Sequence, residues 1–207
     1  MCPACGSRRV RAVVLGTERT AEELGRAFAK YRVKTSGGDR ISRTIDAGPA
    51  IVVATPGAEP RVPGGYGAAV LLDAWALVQR PDLRAVEDTL SKWMAAATLV
   101  QPHADGGEVV VVAEPSMPVV QHLIRWDAPG FAAAELALRR EARFPPAVHV
   151  AVVDAPRDAL EPFFERTDLP DYAEILGPVD LPPGVRLPGE WDQRCLLYTS
   201  PSPRDAT

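Results

Sequence analysis

The sequence predicts an α/β fold: a layer built on a parallel sheet, followed by a smaller α+β unit. Three observations carry this. Apolar runs without alternation, AIVVAT at residues 50–55, AAVLLD at 68–73 and EVVVVA at 108–113, have the pattern of strands buried on both faces under helices. Between them lie segments with apolar residues at helical spacing. The rhythm then breaks at residues 127–130, DAPG, and restarts as helix, strand, helix, strand.

Taken in order, residues 11–16, RAVVLG, read as a short buried strand ending in glycine. TERTAEEL at 17–24 opens a helix, because hydroxyls and carboxylates at a helix start cap free amides and face the positive end of the dipole. Leu24 and Phe28 follow, four apart on one face. Residues 31–36 form another strand, closed by Gly37 and Gly38, and the loop at 56–67 is rich in Gly and Pro. From Asp82 a helix is predicted, with Leu83, Val86, Leu90, Trp93, Met94 and Ala97 in helical register and Trp93 and Met94 in the core. Residues 117–126 form a helix laid against the sheet. After the break, residues 131–143 make a charged helix stopped by Pro145 and Pro146. A strand at 148–154, a helix at 156–166 and a strand at 173–176 complete the second unit.

Composition narrows the function classes. The longest apolar run, VVVVA at 109–113, is too short to span a bilayer. No charged-then-apolar leader opens the chain, so no membrane association and a cytoplasmic location are expected. Three cysteines cannot staple a secreted fold of 207 residues. A net charge of -4 gives no general attraction to a polyanion, which leaves only local basic patches as nucleic-acid contacts. Arg139, Arg140 and Arg143, with Phe144 beside them, are one candidate for a DNA phosphate backbone; Arg8, Arg9 and Arg11 are another. A solvated helix face is the competing reading for each. No nucleophile with a base and an orienting partner can be assembled, so no catalytic residue is assigned. Asp73 and Glu87 read as strand-end and helix-surface carboxylates, and His103, His122 and His149 lack ligand spacing.

The pair Cys2 and Cys5, in CPACG, has three readings: a zinc knuckle, a redox pair, or two ordinary thiols. A redox pair wants a preceding strand and a helix N-terminus beneath it to lower a thiol pKa. No strand precedes here, and Gly6-Ser7-Arg8-Arg9 is a poor helix start, which favours the knuckle. Structural zinc takes four ligands, so two thiolates are half a site.

The tail CLLYTSPSPRD, residues 195–205, reads unlike everything before it and matches the in-frame translation of a transposase-based sequencing-library adapter. On this reading residues 195–207 are non-native and stand outside the fold, the natural sequence continues past Arg194, and the chain is a fragment at both ends. A disordered Ser/Pro-rich tail is the alternative.

CPACGSRRVRAVVLGTERTAEELGRAF resembles the junction between zinc module and second helicase lobe in the primosomal protein N′ (PriA) family of replication-restart proteins. There a final CPxCGS knuckle precedes a strand, GTER and an acidic helix. LLDAWALVQRPDLRAVEDTL is similar to the family's LDAD…PDFRAxE stretch, and ELALRREARFPPAVHVAVV to its entry into the C-terminal domain. The resemblance implies a last zinc knuckle at 1–7, a degenerate RecA-like second helicase lobe at 8–128 and a truncated C-terminal domain at 129–194. It makes Cys2 and Cys5 zinc ligands of an incomplete site, with ATP binding possible in the full-length protein.

The sequence departs from the family at telling places. Its working members carry QVAGRAGR after the PDFRAxE helix, and the two arginines of that motif fall here on Leu99 and Pro102. In such motors those guanidiniums stabilise charge as the γ-phosphoryl group leaves. Leucine and proline cannot supply that charge. The coupling loop is replaced by VVATPGAEPRVPGGYGAAVLL, and Trp75 stands where the family has Asp. These departures match a branch that keeps the fold without recognisable helicase motifs. The expected function is replication restart at stalled or abandoned forks, as a DNA-binding scaffold for primosome loading without helicase activity. Its expected partners are forked or single-stranded DNA, other restart proteins and single-strand-binding proteins. Two alternatives stand: an ATP-driven PriA-type helicase with diverged motifs, and an unrelated α/β protein with a redox CxxC.

Overall fold

In a computed structural model the described residues are 16–170, 173–180 and 193–199. Cys2, Cys5, the arginines at 8, 9 and 11, and all but Gly16 of the strand expected at 11–16 lie outside them. The chain divides into two compact units, Met1–Phe131 and Ala132–Thr207.

The first unit opens with α1 (Thr17–Ala27), which begins at the TERT segment and holds an i,i+4 pair, Arg19 Nε to Glu23 Oε1 at 3.3 Å. Two parallel strands follow, β1 (Arg32–Ser36) and β2 (Ala50–Ala54), paired from Arg32 with Ala50 to Ser36 with Ala54. A second parallel pair joins β3 (Ala68–Leu71) to β4 (Glu108–Val111). Between β3 and β4 run α2 (Ala74–Val78) and α3 (Ala85–Ala97); α4 (Pro118–Arg125) follows β4. Pro118 sits at the first turn of α4, where its missing N–H costs nothing.

The core lies on one face of the β3–β4 pair. Leu71 of β3 belongs to one buried cluster with Ala74, Leu90, Trp93, Ala96, Val119, Val120, Leu123 and Phe131, and Val111 packs against it. Trp93 is 2% exposed, at the position its helical spacing predicts. Leu83 falls before α3 and is exposed, because the chain turns at Pro81–Arg84 before the helix begins. Thr89 is buried mid-helix, and its hydroxyl donates to the Ala85 carbonyl at 2.6 Å, the usual outlet for a helical threonine.

Of the three strands expected to be covered on both faces, β3 and β4 are covered on one, while β2 is half-buried at every residue. Val70, Leu72, Val110 and Val112 are all exposed, while Leu71 is buried and Val111 partly so. Side chains alternate across a strand, and α3 and α4 both pack on the Leu71 side. The single parallel sheet expected from the rhythm is, among the described residues, two separate parallel pairs.

The break at 127–130 is a helix cap rather than a loop. Asp127 accepts the Gly130 N–H on Oδ1 at 2.8 Å and so caps α5 (Ala128–Ala142), which starts three residues earlier than expected. A Cβ at Gly130 would collide with the Asp127 carboxylate as it is placed, so a side chain there would make the capping carboxylate shift.

The second unit has a three-stranded antiparallel sheet of β5 (His149–Ala155), β6 (Ala173–Asp180) and β7 (Gln193–Thr199), ordered β5–β7–β6, with α6 (Arg157–Glu165) after β5. Leu160 of α6 is buried. The segment from Cys195, set outside the fold by the sequence reading, instead supplies most of the central strand: Val152 pairs with Leu196, and Ile175 with Leu197. CLLYT contains no Gly or Pro and is rich in strand-forming side chains, so it pairs whatever its origin.

Candidate nucleic-acid interface

Residues 98–102, which include Leu99 and Pro102, leave α3 and turn back on the sheet. Leu99 donates its N–H to Ala96 O at 3.1 Å and accepts the Tyr66 N–H at 2.9 Å. Gln101 N–H returns to Tyr66 O at 2.8 Å, closing a parallel bridge between Tyr66 and Val100. Pro102 then caps a short turn of 3₁₀-helix, His103–Asp105. Leu99 is half-buried and Pro102 exposed, and neither carries charge.

The loop facing this stretch is held just as tightly. Tyr66 Oη donates to Pro60 O at 2.6 Å; burial, and secondarily the Glu59 carboxylate, push the phenol above its ordinary pKa. Gly65 has φ +80°, and a Cβ there would come within 3.2 Å of Leu99 O. Glycine is therefore required for the close approach. Gln101 Nε2 adds a bond to Gly64 O at 3.0 Å. Residues 60–66 are thus pinned by the Tyr66 hydroxyl, the Gln101 amide and the close approach at Gly65.

The three candidate arginines, Arg139 and Arg140 in α5 and Arg143 just past its end, have different surroundings. Arg139 is 6% exposed; its Nε donates to Glu135 Oε1 at 3.0 Å and a terminal nitrogen donates to Pro145 O at 2.8 Å. It clamps the helix end to the following turn, which holds a cis Pro145–Pro146 bond. Arg143 pairs with Glu174 of β6 at 2.9 Å. Arg140 is exposed and makes no ion pair among the described residues. Phe144 is also exposed.

Of the other candidates, Asp73 lies two residues past β3, in the left-handed region before α2, and is exposed, and Glu87 lies in the first turn of α3. His122 faces Asp127, 3.4 Å from Oδ2, and meets Phe131 edge-on with ring centroids 5.7 Å apart. Among the described residues no group of three or more His, Cys, Asp or Glu side chains converges. No helix there is long and apolar enough to cross a membrane.

Sequence reasoning passed over a basic region around β1 and β2. Lys30, Arg32, Lys34, Arg40, Arg43 and Arg61 stand against Asp39, Asp46 and Glu59 between residues 30 and 61, in a chain of net charge -4. The available signal was the R-x-K of β1, which puts Arg32 and Lys34 on one face of a strand. Lys34 and Arg61, far apart in sequence, line the same cleft.

Residues 140–207 match the family described as primosomal protein N C-terminal domain. The chain is 61% identical over 191 residues to a protein of Mycobacterium tuberculosis named probable replication restart protein PriA. A protein of the same name from Mycobacterium leprae is 60% identical over 187 residues. Each alignment covers 90% of this chain, which spans 29% of those relatives' length. With its C-terminal domain matched and this identity along nearly all of its length, the chain belongs to the primosomal protein N′ family.

Proposed function

We propose that the chain is part of a replication-restart protein that works at stalled or abandoned forks as a DNA-binding scaffold and does not drive strand separation by ATP turnover. The restart reading is supported by the 60–61% identity to proteins named for that role. On this reading the first unit is a RecA-like second helicase lobe, a reading supported by its parallel strand pairs and flanking helices. Cys2 and Cys5 would supply two of four thiolates to a structural zinc ion, which cross-links a small module and performs no chemistry. Forked or single-stranded DNA, other restart proteins and single-strand-binding proteins are the proposed partners, in the cytoplasm.

The single observation that carries the no-turnover reading is the bridge between Tyr66 and Val100, with uncharged Leu99 and Pro102 on either side. In nucleotide hydrolases a positioned arginine is worth about 10³–10⁵ in turnover. Here an aliphatic side chain and a proline stand where the family has two, in a backbone locked by reciprocal hydrogen bonds. The test is ATP hydrolysis by the full-length protein, with and without forked DNA. Turnover at the no-enzyme background in both cases is expected; hydrolysis stimulated by DNA would overturn the reading.

A further inference from the structure

The basic cleft of the first unit is built, not incidental. Its walls are β1, the loop between β1 and β2, and the loop between β2 and β3, and it is open to solvent, with a volume of about 560 Å³. Ser36, 1% exposed, ties the three together: its hydroxyl donates to Ala58 O at 2.6 Å and accepts the Ser42 N–H at 3.0 Å. The loops pair further along, Ile45 N–H to Arg61 O and Arg61 N–H to Arg43 O, both at 2.9 Å. This parallel bridge between Thr44 and Arg61 fixes where the Arg61 side chain starts. Lys34, two residues before Ser36, is on the same face of β1 and lines the cleft together with Thr44, Asp46 and Arg61.

Neither the Lys34 ammonium nor the Arg61 guanidinium makes an ion pair or a side-chain hydrogen bond among the described residues. Two cations on a preformed wall, each with its donors uncommitted, are matched by an anionic oxygen cluster. A guanidinium offers a planar fork suited to two phosphate oxygens, and an ammonium adds a point charge. Asp46 sets the balance: two positive side chains and one carboxylate leave the cleft with a single net positive charge. That charge suits a phosphodiester, which is singly negative, better than free phosphate or a nucleotide tail, which carry more.

We propose that this cleft seats one backbone phosphodiester of a nucleic-acid strand, with Arg61 and Lys34 on its oxygens and Asp46 excluding more highly charged phosphates. The proposal rests on the DNA-binding reading above and gives it a place in the first unit. Arg32, one step along the same face of β1, and Arg43, beside Thr44, extend positive charge on either side for neighbouring phosphates.

The experiment titrates the full chain against a fluorescently labelled single-stranded oligonucleotide at several salt concentrations. The variants are Lys34→Gln, Arg61→Gln, the double variant, Lys34→Arg and Asp46→Asn. Each phosphate contact on a single strand contributes about 0.7 to the slope of log affinity against log salt, so the double variant is expected to lose about 1.4. Loss of one charge-assisted contact lowers affinity about tenfold. Lys34→Arg keeps the slope, and Asp46→Asn tightens binding and lets inorganic phosphate compete at matched ionic strength. All three positions, 34, 46 and 61, are side chains on a cleft wall, and circular dichroism melts verify that each variant folds. If the parent chain does not bind the oligonucleotide, both the DNA reading and this proposal fall. If it binds but the double variant keeps affinity and slope, the cleft alone is overturned. Inorganic phosphate competing fully against the parent chain would overturn the phosphodiester assignment.

Discussion

The two parallel strand pairs of the first unit, five residues long in β1–β2 and four in β3–β4, are held by different forces. The β3–β4 pair is fastened to α2, α3 and α4 by apolar packing around Leu71, Trp93 and Val119. Among the described residues the β1–β2 pair has no comparable cluster. Ser36, Pro60 and Ala58 are its buried residues, and hydroxyl and backbone hydrogen bonds bind its loops. Hydrophobic packing is non-directional and tolerates a bare opposite face, whereas hydrogen bonds fix atoms in place. One pair is therefore architecture; the other holds charged side chains at set positions.

The largest effect should come from the packed side. Trp93→Ala removes the centre of the cluster and should cost about 3–5 kcal/mol of unfolding free energy. Urea denaturation followed by circular dichroism measures it, and a loss under 1 kcal/mol would mean the core is elsewhere. On the stitched side, Ser36→Ala takes the donor from Ala58 O and the acceptor from Ser42 N–H, at a cost of about 1–3 kcal/mol for buried groups left unpaired. That variant should also weaken the cleft's ligand, which Trp93→Ala at a temperature where it remains folded should not.

Tyr66→Phe comes next, at about 0.5–1.5 kcal/mol for the lost bond to Pro60 O. This contribution has a pH signature. The folded pKa is raised above the unfolded value, so the stabilisation is complete below the unfolded pKa, about 10. It is lost as pH rises through the folded pKa. The difference between parent and variant should thus be flat through neutrality and shrink only in alkaline solution; a difference that changes between pH 5 and 8 would contradict the assignment. Smallest is Val110→Thr on the bare face of β4, expected to stay within about 0.5 kcal/mol. A larger loss would show that this face is covered.

These contrasts mark what could be read beforehand. The helices were legible because Leu90 and Trp93 recur at helical spacing in α3 and Glu18 places a carboxylate in the first turn of α1, although the cap of α1 is Gly16 and no side chain bonds to its free amides. The one-sided burial of β3 and β4 was not, because VVVV and AAVLL lack the alternation that would distinguish one covered face from two. Gln193–Thr199 was missed as the middle strand because its odd composition outweighed its β propensity in the reading. The cleft was invisible because Lys34 and Arg61 meet only through the hydrogen bonds of Ser36 and Thr44–Arg61, which no spacing encodes. Arg139 looked like one of three exposed cations; its burial against Glu135 and Pro145 depends on the turn that follows α5.

The central claim is a motor-shaped unit that holds DNA without being driven by nucleotide. The most direct test follows the full-length protein on a labelled forked duplex, with binding and strand displacement recorded in the same reaction before and after ATP is added. The account predicts a stable complex whose duplex stays intact after ATP, at the rate seen without nucleotide. Displaced strand accumulating only when ATP is present would contradict it.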